Sequence, residues 1–178
     1  MHETPGEITA LQQLLDRSHA SATAHLRGII DDQRALTAQE IASLMTGMRV
    51  LSVATVTASA EPRVSALDGH FLHARWIFST SGSAAKARQL RARPAVSVAC
   101  IEGEEVAVFT HGHVTFIEPE TDDFAGVVEY LTAHYGSSPL SWGEDIVLCR
   151  VQPTWTVGYA FKKAELLRAR GIYLPTGP

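Results

Sequence analysis

Hydroxyl side chains cluster at Ser79, Thr80, Ser81 and Ser83 around Gly82, and a basic segment carrying Lys86 and Arg88 follows directly. The stretch before them, Trp76-Ile77-Phe78, reads as a short apolar strand, and the residues from Ala84 to Leu90 have the composition of a helix. A strand that empties through such a turn into a helix gathers free N–H groups, the positive end of the helix dipole, hydroxyl donors and a first-turn lysine at one point. That chemistry suits an anion, and the residues point to a phosphate-bearing ligand.

Other reactive side chains are less well placed. His111 and His113 flank Gly112 on one strand face, a spacing that offers two imidazoles to a metal, but no third ligand has matching spacing, so an exposed pair is expected. His70 and His73 fall in what reads as a solvent-exposed loop between the second and third strands. Cys100 and Cys149 lie inside apolar strands without CxxC spacing, which predicts buried free thiols. Trp142, Trp155 and Tyr159 offer aromatic faces for packing or for a flat conjugated ring. No Ser/His/Asp or Cys/His spacing proposes a nucleophile, as expected where a cofactor carries the chemistry.

The whole chain bounds the partner. With 178 residues and 46% hydrophobic content it is long enough for a sizeable core. A net charge of −4 and a pI near 6.0 give no basic field for nucleic acid or an anionic membrane, which leaves a small molecule as the expected partner. The opening residues lack the pattern of a signal peptide and no apolar run is long enough to span a bilayer, so a cytoplasmic setting is expected.

Positioning elements follow from periodicity. Ile8, Leu11, Leu15, Ala22, Leu26 and Ile29 predict one amphipathic helix over residues 6–32. Thr37-Ala38-Gln39-Glu40 is a capping box that opens a second helix. Strands are predicted over 50–57, 63–67, 76–79, 95–101 and 106–117, the last with a bulge or bend at Gly112. Val96, Val98 and Cys100 should fill one face of the fourth strand, and small residues its other face. Pro119 and its acidic neighbours start a helix with Phe124, Val127, Val128 and Leu131 as its buried stripe, and two closing strands are predicted over 146–151 and 155–161. About seven strands without βαβ alternation predict a mainly β fold, an antiparallel barrel with peripheral helices.

The order of these pieces is specific. Arg63 stands on the second strand, Phe78-Ser79-Thr80 ends the third, a Ser/Gly loop leads to Lys86 in a helix ending at Leu90, and Pro94, a small-residue strand and Val151-Gln152-Pro153-Thr154 follow. This set resembles the pyridoxamine 5'-phosphate oxidase-like superfamily over residues 36–161. The resemblance implies an FMN-binding split antiparallel β-barrel over 36–178, behind an N-terminal helical extension over 1–35. It further implies a homodimer with FMN, or a deazaflavin coenzyme, in a groove between subunits, passing a hydride to or from a small organic substrate. The alternative it carries is a non-catalytic module of the same fold holding haem or a deazaflavin.

By family position Arg63, Thr80 and Lys86 would bind the cofactor phosphate, with Ser79, Ser81 and Ser83 as further donors. Arg88, two positions from Lys86, should point elsewhere, toward solvent or a second subunit. The chain departs from the oxidase pattern at Ala84-Ala85, where Ser-Arg usually precedes the lysine, and at Asp68, where a lysine is usual. Nothing in Lys162-Lys163-Ala164-Glu165 matches the arginine and histidine that hold the vitamin phosphate, so oxidation of pyridoxamine phosphate is not the expected activity.

Overall fold

A computed structural model describes residues 2–173. Helix α1 (Pro5–Ser21) opens with a Thr4/Glu7 capping box and buries Leu11, Leu14, Leu15 and Ser18. It stops at Ala22, and a separate helix α2 (Ala24–Ile29) begins because the Thr23 hydroxyl accepts the Leu26 N–H and caps a new first turn. The single helix expected over 6–32 is therefore two, and α2 buries none of its residues. Helix α3 (Ala38–Leu44) starts at the Thr37/Glu40 capping box and buries Ile41 and Leu44.

The strands are β1 (Met48–Val56), β2 (Pro62–Leu72), β3 (Arg75–Ser81), β4 (Ala95–Glu102), β5 (Val106–Ile117) and β6 (Ile146–Ala160). Helix α4 (Ala85–Ala92) follows β3, α5 (Phe124–Tyr135) and a 3-10 turn (Pro139–Ser141) follow β5, and α6 (Lys163–Ala169) follows β6. The strands close a barrel in the order β1-β2-β3-β6-β5-β4, every neighbouring pair antiparallel. There are six strands rather than about seven, because Gln152-Pro153-Thr154 lie inside β6. Proline is tolerated there because Pro153 faces Gly112, where the β5–β6 register slips, so its missing N–H falls at the irregularity.

Leu51, Val53, Trp76, Phe78, Val98 and Val108 fill the barrel interior, closed at one side by α1 and α3. Val96, Val98 and Cys100 are buried together, as the alternation of β4 required. Outside the barrel, α5 lays Val127 and Leu131 on Leu72, Ile77, Ile117 and Leu148. Arg150 on that face forms an ion pair with Asp123 at the start of α5. No described helix is long and apolar enough to cross a membrane.

The ring of strands is thinnest between β2 and β3. These strands pair only from Gly69 to Leu72 against Arg75 to Phe78. The earlier part of β2, residues 62–68, pairs with β1 alone, and residues 79–81 of β3 pair with β6 alone. The two strands part, and a cleft opens where they do.

Candidate functional site in the parting of β2 and β3

The cleft has a volume of about 650 Å³. Val50 from β1 and Ala66, Leu67 and Asp68 from β2 form one wall, Ser79 of β3 stands opposite, and Tyr135 and Trp142 cover it from the α5 side. Trp142 is held by its indole N–H, which donates to Ser137 Oγ at 2.9 Å, and its ring meets Tyr135 edge-on at 4.9 Å. Two half-exposed aromatic faces over small and aliphatic residues suit a flat conjugated ligand.

At the far end of β2, Arg63 pairs across the strands with Thr55, whose hydroxyl donates to Gln89 Oε1 on α4 at 2.6 Å. Arg63 therefore lies on the strand face that α4 covers, and Lys86 stands one turn before Gln89 on that helix. The only side-chain partner of Arg63 among the described residues is Glu61 at 2.7 Å, and both are more than half exposed, so the pair contributes little. Lys86 is half-buried without a hydrogen bond or ion pair among the described residues, and the Thr80 hydroxyl is equally unengaged. The first turn of α4 also lacks a side-chain cap. Thr80, Lys86 and the opening N–H groups of α4 are thus unspent donors, and Arg63 is committed only to the exposed Glu61 carboxylate and the Pro62 carbonyl.

Ser81 and Ser83 are different: they already hold an anion. Ser81 Oγ donates to Asp145 Oδ1 at 2.8 Å and the Ser83 N–H to Asp145 Oδ2 at 2.7 Å, while the two hydroxyls lie 2.7 Å apart. The Gly82 N–H donates to the Asp145 carbonyl at 2.7 Å. The Ser81 hydroxyl first, then the hydroxyl and N–H of Ser83, hold the Asp145 carboxyl below the usual carboxylate range. The carbonyl side of the turn is tied by Arg91, which donates to Gly82 O at 2.7 Å, and by Arg88, which donates to Ser83 O. Arg88 is exposed, as expected, and also braces the turn through this bond. The anion preference read from this turn is real in kind, but residue 145 satisfies much of it.

His70 also departs from expectation. It lies in β2 and is only 2% exposed, not in a solvated loop. Its Nδ1 is 3.1 Å from the Tyr130 hydroxyl and its Nε2 is 2.9 Å from the Tyr135 hydroxyl, both on α5. Burial, with His134 beside it, holds its pKa down to about 4. His73 is exposed, as expected, with Nδ1 3.1 Å from Glu7. His111 is exposed too, stacked on Trp155 at 4.8 Å with Nδ1 2.8 Å from Ser97 Oγ, and no group of three potential metal ligands occurs among the described residues. Cys100 and Cys149 are buried free thiols, pushed by burial to about 11 and about 12.

Sequence reasoning did not find Asp145, Tyr130 or Tyr135. Asp145 reaches Ser83 across 62 residues of chain, and the tyrosines reach His70 across 60 and 65, so no local spacing signals either cluster.

The chain resembles several solved structures in fold. A conserved protein of Mycobacterium tuberculosis aligns over 83% of this chain and 96% of its own, with a TM-score of 0.64 and 19% identity. An F420 reductase aligns over 64% of this chain and 93% of its own, at 0.52 and 24%. A haem-storage protein of Vibrio cholerae aligns over 59% of this chain and 81% of its own, at 0.51 and 24%. No curated protein matches. The family model described as pyridoxamine 5'-phosphate oxidase matches residues 37–157, from the α3 cap through all but the end of β6. The chain therefore belongs to the pyridoxamine 5'-phosphate oxidase family.

Proposed function

We propose that this chain is an FMN-dependent oxidoreductase of the pyridoxamine 5'-phosphate oxidase type, acting on a small organic substrate, with a deazaflavin coenzyme as the other cofactor that suits the cleft. The observation that carries the reading is the parting of β2 and β3 into a cleft of about 650 Å³ with the aromatic rings of Tyr135 and Trp142 over it; Arg63, Thr80 and Lys86, on the same two strands and the helix that follows them, are outside its lining. Arg63, Thr80 and Lys86 would hold the phosphate, and Ser79 would donate from the cleft wall. Ser81 and Ser83 serve through Asp145 to shape the turn and not as direct ligands. When bound, the ring supplies hydride chemistry, and the protein supplies placement and electrostatics.

The working unit is a homodimer in this reading. Val50, Val64 and Ile101 are 59%, 70% and 55% exposed on the outer face of the barrel, and Val50 also lines the cleft. A second copy seated there would bury these side chains and wall the cleft from solvent.

One observation favours a second reading. The Asp145 carboxylate puts a negative charge beside the corner that would take a doubly charged phosphate, which favours a non-catalytic module holding haem or a deazaflavin. The visible spectrum of the purified protein after incubation with FMN, F420 or haemin tests the readings: a two-banded flavin spectrum with quenched FMN fluorescence supports the first, a Soret band alone supports the second, and F420 uptake fits either, since both admit a deazaflavin.

A further inference from the structure

His70 is the most fully buried polar ring against α5, and its two nitrogens meet two phenols of different exposure. Tyr135 lines the cleft and is 36% exposed, whereas Tyr130 stands off the cleft, half-buried, with the His2 ring edge-on to it at 4.9 Å. A neutral imidazole donates at one nitrogen and accepts at the other, so one phenol must give its hydrogen to His70 and the other must receive one. The phenol that receives keeps its own hydrogen for a different partner. Neither hydroxyl has a second hydrogen bond among the described residues.

The cleft gives the direction, since Tyr135 lines it and Tyr130 does not. Asp68 lines the cleft beside Tyr135 and, after burial, is the next cause holding the Tyr135 hydroxyl protonated, while Glu3 acts likewise on Tyr130 away from the cleft. A carboxylate on that side draws the Tyr135 hydrogen toward the cleft. The Tyr135 oxygen is then left to accept from His70 Nε2–H, and His70 Nδ1 to accept from the Tyr130 hydroxyl.

We propose that Tyr135 is the proton donor of the cleft, and that Tyr130 and His70 form a one-directional hydrogen-bonded relay that aims its O–H and replaces the proton it gives up. The acceptor is a neutral carbonyl oxygen or ring nitrogen of the bound ligand, because Asp68 opposes an anionic group at this end. This deepens the reading above and rests on it for the ligand. In transfer the Tyr135 O–H bond breaks as the ligand's bond to hydrogen forms. Tyr135 then takes the Nε2 hydrogen, Nδ1 takes the Tyr130 hydrogen, and Tyr130 recovers one from water. One proton leaves solvent, one enters the cleft, and no electrons move. The imidazole finishes with its hydrogen on Nδ1, so both hydroxyls must turn before the next transfer.

Burial of His70 and the neighbouring His134 keep the ring neutral, as a relay member must be. The titratable groups facing it are Tyr130, His134 and Tyr135 of α5, with Asp68 two residues away on its own strand and Glu3 beyond Tyr130. Leu72 and Ile77 are the apolar groups of the same packed face.

Two measurements test the relay. The first is ¹⁵N NMR of the ligand-free protein at pH 7, with His70→Gln to assign the ring. Protonated Nε2 with unprotonated Nδ1 is expected, and protonated Nδ1 or an imidazolium overturns the proposal whatever the cleft binds. The second is FMN fluorescence titration of Tyr135→Phe, Tyr130→Phe and the double variant, in which every ring is kept. Tyr135→Phe should weaken binding about tenfold, Tyr130→Phe about threefold, and the double variant no more than Tyr135→Phe alone. Losses that add, or unchanged binding in Tyr130→Phe, overturn it. A parent protein that takes up no FMN contradicts the cofactor reading, and the NMR result then judges the relay alone.

Discussion

Ser83 donates its backbone N–H to the Asp145 carboxylate at 2.7 Å, and this bond places a charge from the β6 approach in the turn between β3 and α4. The turn has two faces in consequence. Its serine face is satisfied internally, and its α4 face, with Lys86 and an uncapped first turn, is open. A phosphate at this corner would be held by Arg63, Thr80 and Lys86 in the field of a fixed negative neighbour.

Removing that neighbour's charge should strengthen binding. Asp145→Asn keeps an acceptor oxygen for the Ser83 N–H and turns its amide N–H to donate to the Ser81 hydroxyl oxygen, and FMN affinity should rise by about two- to fivefold, measured by fluorescence titration at low salt. A fall in affinity would mean that Asp145 supports the site by shaping the turn more than it opposes the phosphate.

The β5–β6 junction should tolerate no side chain at Gly112. A Cβ there would lie 2.1 Å from the Gln152 carbonyl oxygen and 3.0 Å from Pro153 Cα, both backbone atoms that cannot rotate aside. Gly112→Ala should cost about 2 kcal/mol or more in chemical denaturation. A loss under about 0.5 kcal/mol would show that the bulge relaxes freely.

Stability should fall with acid in a window set by His70. Its folded pKa of about 4 lies below the ordinary 6.5, so as pH falls the unfolded chain takes up a proton first. Stability therefore rises with pH from about 4 to 6.5, by at most about 3 kcal/mol from this group. Denaturant midpoints for the parent and His70→Gln between pH 4.5 and 7 check it. The parent should lose more stability on acidification, and parallel curves would remove His70 as the source.

A negative charge on the exposed apolar face should keep the chain monomeric. Val64 is 70% exposed on the outer face, so a carboxylate there stays in solvent within the monomer. Light scattering should report a dimer for the parent and a monomer for Val64→Asp, with weaker FMN retention in the variant. A parent that is monomeric at micromolar concentration contradicts the shared-groove arrangement.

Local chemistry was legible in the sequence where one neighbourhood decides the outcome. The Thr37/Glu40 capping box, the full extent of β5, the irregularity at Gly112 and the buried faces of β4 and α5 all follow from residues within a few positions of one another. The break at Ala22 was not, because an apolar stripe continues through it and only the Thr23 hydroxyl decides that a new helix begins. Pro153 reads locally as a strand end, yet a glycine 41 residues earlier makes room for it. At the site, the hydroxyl-rich turn and its cations were visible. The Asp145 carboxylate and the two phenols around His70 were not, since each reaches its partner only after the barrel closes.

In the reading proposed above, Arg63, Thr80 and Lys86 grip the phosphate of a planar redox cofactor. Titration of FMN with the parent, Arg63→Ala and Lys86→Ala, followed by fluorescence quenching, tests it most directly. Saturable quenching by the parent is expected, with about ten- to a hundredfold weaker binding in each variant and unfolding midpoints unchanged. Equal affinity in all three proteins, or no quenching by the parent, would contradict it.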